Sequence, residues 1–512
     1  MMNKRIPNAL LSKFSRFINQ QMGIYFPKNR WLDLLRGICS AAREFGFDDV
    51  EECIHWLLSS PLKKNQVEIL ACHLTVGETY FFRETKIIEA MEQYVLPEII
   101  KEQRQNGKRL RLWSAGCCTG EEPYTLAILL SRMIPDIKDW NITILATDIN
   151  PLFLQKATVG IYREWSFRGT PYWIKDTYFR KLDDGNFEIL PSIKRMVKFS
   201  YLNLVEDMYP SIFSDTNAMD VIFCRNVMMY FSPDIVKKIV AKLHDALLDD
   251  RWLIVGSSET SQFYFPQYIT VNFPGAILYK KINKELKKGQ RVENYIPNVF
   301  SEDKANSIRF LDSDIHFIPN PELETDVKII EEEKEQWEVV EEKDHSLTPM
   351  EAIENLYQSG DYKGTIQKIE DNIGEYEKNP SVIKYLAKAC ANQGKLNEAL
   401  YWCEKAIVLD KLNPQFYHLR AAILEEQGYI EKALGELKRA LYLDPNFVLA
   451  HFMLGNLTRK QGNLQESKKY FENALSILKT HDREEILPES EGMNAGRLME
   501  LIQLSMNGEL NA

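Results

Sequence analysis

The stretch "RLRLWSAGCCTGEEPYTLAILL", residues 109–130, decides the fold. An apolar run from Leu110 to Trp113 breaks into a turn of small residues, Ser114 to Gly120. A helix then opens with two acids, Glu121 and Glu122. A strand, a glycine turn and a helix form a cradle of the kind that takes nucleotides, because the helix start offers unpaired N–H groups. The glycines here read Gly116-x-x-x-Gly120, not G-x-G-x-x-G, and two carboxylates at the helix entrance disfavour a pyrophosphate.

Outward from that turn, the next apolar run, "NITILATDIN", ends in Asp148, 28 residues beyond Gly120. An acid at the end of the second strand accepts hydrogen bonds from ribose hydroxyls in dinucleotide folds. Adenosine with a cationic tail reconciles Asp148 with Glu121 and Glu122, and S-adenosylmethionine has a sulfonium, an ammonium and one carboxylate. The plain alternative is that both acids merely cap a helix N-terminus, where acids are ordinarily favoured.

Further strands are expected at Val197–Ser200, Asp220–Cys224, Trp252–Val255 and Ala276–Lys280, with helices at 121–133, 150–159 and 233–248. Such alternation predicts an α/β fold with a doubly wound, mostly parallel sheet. Residues 1 to about 75 carry helical spacing interrupted by Gly23, Pro27, Gly46 and Pro61, which predicts a helical bundle. Residues 283–347 include "EEEKEQWEVVEEKDH" and read as an acidic flexible linker. Beyond them Gly360, Gly394, Gly428 and Gly462 recur every 34 residues, with Ala399, Ala433 and Ser467 and then Ala406, Ala440 and Ala474 in step. A 34-residue period with glycine at the turn and small residues at the helix crossing is the tetratricopeptide signature. The first unit is degenerate, with Thr365 and Asn372 at the alanine positions, and residues 494–506 read as a capping helix.

Composition narrows the class. With 512 residues the chain exceeds one ordinary core, and a net charge of -10 argues against a nucleic-acid binder. No apolar run reaches the length of a membrane helix and no signal peptide opens the chain, so insertion in a membrane is not expected. Eight cysteines without a C-x-x-C pair or a histidine cluster predict no metal site and a reducing cytoplasm. Cys117 and Cys118 read as packing rather than nucleophiles.

Taken together, "LTVGETYFFRE" (74–84), "LWSAGCCTGEEPYTLA" (112–127), "ATDINPLFLQKATVGIYR" (146–163), "FSYLNLV" (199–205), "DVIFCRNVMMYF" (220–231) and "GSSE" (256–259) resemble the CheR family of chemoreceptor glutamate methyltransferases, over about residues 1–282. The resemblance implies an N-terminal helical domain (1–80) and a Rossmann-like methyltransferase domain (81–282) with a small β insertion at about 162–200. The linker (283–347), repeats (348–480) and capping helix with its tail (481–512) complete the expected order. S-adenosyl-L-methionine is the implied cofactor and S-adenosyl-L-homocysteine its product. The family's cofactor contacts fall on Thr79, Arg83, Glu121 (Glu122 being the less favoured choice), Asp148, Asn203, Leu204, Arg225 and Asn226. Gly77 stands where many members have asparagine, so a side-chain contact is either absent or replaced by backbone. Arg83 and Tyr230 are the implied catalytic pair, orienting the methyl group and the acceptor carboxylate.

The implied substrate is a glutamate of a chemoreceptor's cytoplasmic helices, reached in the cytoplasm at membrane-bound receptor arrays. A carboxylate with a pKa of about 4.3 is already ionised at neutral pH, so no general base is needed. Arg30, Arg36, Arg43, Lys63 and Lys64 would meet an acidic receptor helix, or simply be solvated. The short loop at Asp183–Gly185 predicts recognition without a receptor tether. The repeats offer a groove for a partner peptide from a receptor, a response regulator or another part of the same enzyme. The linker would keep them near the catalytic domain in several arrangements. The competing reading is an interaction scaffold whose methyltransferase domain has decayed into a ligand sensor.

Overall fold

The computed structural model describes residues 6–205, 209–261, 263–282 and 348–507, so the expected acidic linker lies outside the described residues. Strand β1 (Arg109–Ala115) runs through the glycine turn into helix Glu121–Met133, as the pattern dictates. The strands that follow are β2 (Asn141–Asp148), β3 (Ile161–Tyr162), β4 (Phe179–Lys181), β5 (Phe187–Ile189), β6 (Val197–Tyr201), β7 (Met219–Cys224), β8 (Leu247–Val255), β9 (Tyr268–Phe273) and β10 (Ala276–Lys281). Seven of them form one sheet in the order β6-β2-β1-β7-β8-β10-β9. The first five in that order are parallel, while β10 runs antiparallel to both neighbours. Helices cover both faces, which is why β7 is buried at every position and reads as an unbroken apolar run.

Strands β3, β5 and β4 make the small insertion sheet. Its aromatic core takes in Phe81, whose ring stacks on Phe167 with centroids 5.0 Å apart and meets Phe179 edge-on at 4.9 Å. The Phe81 backbone N–H donates to Ser166 O (2.9 Å) and that of Phe82 to Thr125 Oγ1 (3.1 Å). The two buried phenylalanines therefore anchor the segment that carries Thr79 and Arg83. The N-terminal bundle comprises helices Asn8–Met22, Trp31–Glu44, Val50–Leu57 and Lys64–Leu74 around its own apolar cluster. It joins the catalytic domain where Tyr25 N donates to Tyr230 O (2.7 Å) and Ile24 bridges Phe231.

The C-terminal part consists of antiparallel helix pairs. Helices Pro380–Asn392 and Leu396–Leu409, Pro414–Glu426 and Ile430–Leu443, and Val448–Lys460 and Leu464–Leu478 follow the 34-residue period. The degenerate first unit pairs Pro349–Gln358 with Tyr362–Glu370, followed by the short helix Ile373–Tyr376. Gly360, Gly394, Gly428 and Gly462 all sit at φ between +74° and +83°, the left-handed turn that glycine allows at least cost. Helix Ala495–Asn507 caps the array.

Contrary to the expectation of several loose arrangements, the array is docked. It packs against the N-terminal ends of the parallel strands, and its inner helices enclose residues 209–218, the segment that leads into β7. Ile212 lies in the apolar cluster of the repeats, and its N–H donates to Asn392 Oδ1 (2.8 Å). Phe213 stacks on His418 at 5.2 Å with the rings 3° apart, and burial pushes that imidazole down to about 4, so a neutral ring faces Phe213 at pH 7. Tyr362 donates to Pro210 O (2.5 Å), and Asn217 Nδ2 to Ala391 O (3.3 Å). Glu426, on an inner helix, takes Arg109 Nη2 at 2.5 Å and also Arg111, both from β1. A buried arginine in the middle of a sheet demands such a partner. Of the occupants the groove was open to, the structure therefore shows another part of the same enzyme.

Candidate functional site

At the opposite, C-terminal ends of the strands, the glycine turn opens a cavity of about 200 Å³. Crevices at this end of an open α/β sheet are where such folds hold ligands. The turn is held shut from below: Gly116 N and Cys117 N both donate to Thr147 O, at 2.7 and 2.9 Å. Gly116 is needed twice over, since its φ is +82° and a Cβ there would stand 2.4 Å from Val227. Cys118 N donates to Asp148 Oδ2 (2.8 Å), and Asn150 N to Asp148 Oδ1 (2.9 Å). Burial nevertheless pushes the Asp148 carboxyl up to about 6, those N–H donors notwithstanding. The neighbouring thiols are raised by burial as well, Cys118 to about 12, so both are protonated at neutral pH and serve as packing.

Thr79, Arg83, Asp148, Asn203, Leu204, Arg225, Asn226 and Tyr230 all line this one cavity, although they come from four separate segments of chain. Two expected residues do not. Gly77 lies outside it; a Cβ at that position would meet the Phe153 ring at 2.7 Å, so an aromatic ring fills the space that an asparagine side chain would need. Glu121 is turned away: it is buried and accepts from Thr119 Oγ1 (2.7 Å) and Ser166 Oγ (3.0 Å). Successive helix residues differ by about 100° in direction, so when Glu121 faces the insertion its neighbour faces the cavity. Glu122 lines it, accepting from Ser114 Oγ (2.7 Å) and Arg225 Nη1 (3.1 Å).

Arg225 is 7% exposed and spans the floor, its Nη2 donating to Arg83 O (2.7 Å). Its Nε is buried with no partner among the described residues, a donor that suits a ligand's carboxylate. Arg83 donates to Glu78 O (2.7 Å) and lies over the Tyr80 ring at 5.7 Å. Tyr230 is half-buried with the Arg30 guanidinium over its ring at 5.8 Å. Burial holds its phenol above the usual range, so it is a neutral donor at pH 7. Three carboxylates (Glu78, Glu122, Asp148) and two guanidiniums (Arg83, Arg225) line the space. That balance suits a ligand with two positive groups and one negative one. Met22, Ile24 and Leu74 from the N-terminal bundle close the cavity with Phe153, Val227 and Met229; Met22 and Ile24 lie outside every sequence motif, and the other four were not singled out within theirs.

Similarity to known proteins spans this part of the chain and the repeats. The family model described as "CheR methyltransferase, SAM binding domain" matches residues 77–271, and a tetratricopeptide repeat model matches 414–447 and 448–479. A chemotaxis protein methyltransferase of Borreliella burgdorferi is 32% identical over 261 residues, which cover 51% of this chain and 90% of that protein. Chemotaxis protein methyltransferase 1 of Pseudomonas aeruginosa is 29% identical over 278 residues, covering 53% and 98%.

Proposed function

The chain belongs to the CheR methyltransferase family, and on that premise we propose that it methyl-esterifies glutamate side chains on the cytoplasmic helices of chemoreceptors. It is an S-adenosylmethionine-dependent methyltransferase carrying tetratricopeptide repeats. One observation carries the reading of the site: a single cavity joins a buried acid for ribose hydroxyls, a carboxylate for a cationic centre and an unpaired guanidinium N–H for a carboxylate. When bound, S-adenosylmethionine supplies a methyl group on a sulfonium, activated toward displacement.

The protein's own groups then have separable tasks. Asp148 accepts the ribose hydroxyls, Glu122 faces the positive end of the donor, and Arg225 Nε takes its carboxylate. Asn203, Leu204 and Asn226 shape the remaining wall. Arg83 and the neutral Tyr230 phenol orient the incoming glutamate carboxylate, which needs no general base because it is ionised already. Opposite charges cancel as methyl transfers, so walls that exclude water, such as Met22, Ile24 and Leu74, favour the reaction. Arg30, beside Tyr230, puts a basic residue of the N-terminal bundle next to the acceptor side, in keeping with an acidic receptor helix. Among the described residues no helix is long and apolar enough to cross a membrane. The decayed-scaffold alternative has nothing in its favour, since Arg83 and Tyr230 both reach the cavity.

The test is transfer of radiolabelled methyl from S-adenosylmethionine to a receptor cytoplasmic fragment, released as methanol by base. Arg83→Ala and Tyr230→Phe should each depress turnover. Label that resists base, or full activity in both variants, overturns the assignment.

A further inference from the structure

The stretch Gly256–Glu259 has no part in the chemistry above, yet it lies directly behind the cavity. It forms the turn after β8, and Glu259, 9% exposed, points back from it. Its Oε2 accepts from Asn226 N (2.6 Å) and Gly256 N (2.9 Å), and its Oε1 from Met229 N (3.1 Å). One carboxylate thus collects backbone donors from two loops, those that follow β7 and β8. The loop after β7 needs holding: Asn226 sits at φ +57°, a left-handed conformation that few non-glycine residues adopt. That loop carries Arg225, Asn226 and Tyr230. The same turn is gripped from the other side, where Glu84 accepts from Ser257 N (3.0 Å) and Ser257 Oγ (2.7 Å) and stands 3.6 Å from Arg225 Nη2. Gly256 allows the close approach, since a Cβ there would meet Asn226 Nδ2 at 2.8 Å and Glu259 Oε2 at 2.9 Å.

We propose that Glu259 is a positioning residue: its carboxylate clamps the Asn226–Tyr230 loop in the shape that binds donor and acceptor, and so sets both cofactor affinity and turnover. The proposal rests on the methyltransferase reading of this cavity. Its geometric content is separate, because Glu259 is not among the cavity-lining residues and acts only through the loop. Replacing the carboxylate by an amide keeps the size and one acceptor oxygen but sets an NH₂ against an N–H. The loop then loses charge-assisted hydrogen bonds at a buried site, a change that scales to about tenfold to a hundredfold in an equilibrium the loop controls.

In the full-length chain, Glu259→Gln is expected to raise the Kd for S-adenosylhomocysteine by about tenfold or more and to lower kcat by at least as much. The KM for the protein acceptor should rise as well, since Tyr230 on the same loop orients the acceptor carboxylate. Calorimetry on protein whose folded fraction is measured by circular dichroism distinguishes this from a merely structural role, which lowers the active fraction but leaves the Kd of the folded molecules intact. Wild-type Kd and kcat in folded Glu259→Gln protein overturn the proposal. If that variant does not fold, Gly256→Ala wedges a methyl group between Asn226 and Glu259, and a folded Gly256→Ala protein with wild-type constants overturns it equally. Failure of the wild-type chain to bind S-adenosylhomocysteine at all would instead sink the methyltransferase reading on which the proposal depends.

Discussion

Substituting Glu426 by glutamine tests whether the repeats are held on the catalytic domain by the ion cluster seen at their interface. The Glu426 side chain is 6% exposed, and Arg111, one of its two arginine partners, is 3% exposed. For a charge pair at about 4 Å, an effective dielectric of about 20 gives an attraction of about 4 kcal/mol, and removing one member of a buried pair costs about 3–5 kcal/mol. Part of that loss is cushioned: Arg111 keeps Asp215 O at 2.7 Å and Arg109 keeps Ala218 O at 3.1 Å. The lower end, about 3 kcal/mol, is therefore the expected effect, or a factor of about 10² in the docking equilibrium. Hydrogen exchange of residues 209–218 reads that equilibrium, because the Ile212 amide is tied to Asn392 across the interface. Glu426→Gln should speed exchange of this segment about a hundredfold and leave the central strand β7 protected. Adding Arg111→Met should recover part of the protection, since one stranded charge is then removed. Wild-type exchange in the folded single variant would refute the argument and assign the docking to Ile212 and Phe213 alone.

Three further outcomes follow from the cavity. Asp148, raised to about 6 by burial, accepts ribose hydroxyls only when ionised, so the Kd for S-adenosylhomocysteine should worsen as pH falls below about 6 and level off above it. In the ligand-free protein the sign is reversed: the raised group costs stability as pH rises from its ordinary value of 3.8 toward 6, and no more beyond that; a flat Kd between pH 5 and 7 would rule this out. Glu122→Gln should weaken S-adenosylmethionine by about tenfold more than its uncharged-sulfur product, whereas Glu121→Gln should affect the two alike; calorimetry with both ligands decides, and a selective effect at Glu121 would reverse the assignment. Gly77→Asn should cost about 1–3 kcal/mol through collision with Phe153. Pairing it with Phe153→Ala should restore thermal stability and ligand affinity, and absence of rescue would separate the two positions.

The parallel strands were legible because β1, β2 and β7 are buried on both faces and so read as apolar runs. The repeats were legible because each helix pair needs the same small residues at the same crossing. Strand β9, "YITVNF", escapes notice because it alternates at a sheet edge, as does the helical stretch from Thr85 to Gln105, where a π turn at Met91–Val95 and Pro97 break the helical period. The choice between Glu121 and Glu122 could not be made from spacing, since Ser166 on the distant insertion decides which acid turns inward. Gly77 was tied to the cofactor by its place in a motif, but the ring that excludes a side chain there, Phe153, lies 76 positions away. Docking of the repeats was equally hidden, because Arg111 and Glu426 stand 315 residues apart. A charged residue inside "RLRLW" was the available hint that a partner must come from elsewhere.

Because residues 209–218 and the helices that enclose them belong to one molecule, any outside peptide seeking the same inner face meets a resident competitor that cannot diffuse away. Tethered competitors act at effective concentrations on the order of millimolar. Affinities measured on repeats stripped of the catalytic domain would thus overstate what the intact enzyme shows, by the ratio of that concentration to the resident segment's own dissociation constant. A visitor that did win the face would free the chain leading into β7, the strand whose far end carries Arg225 and Asn226.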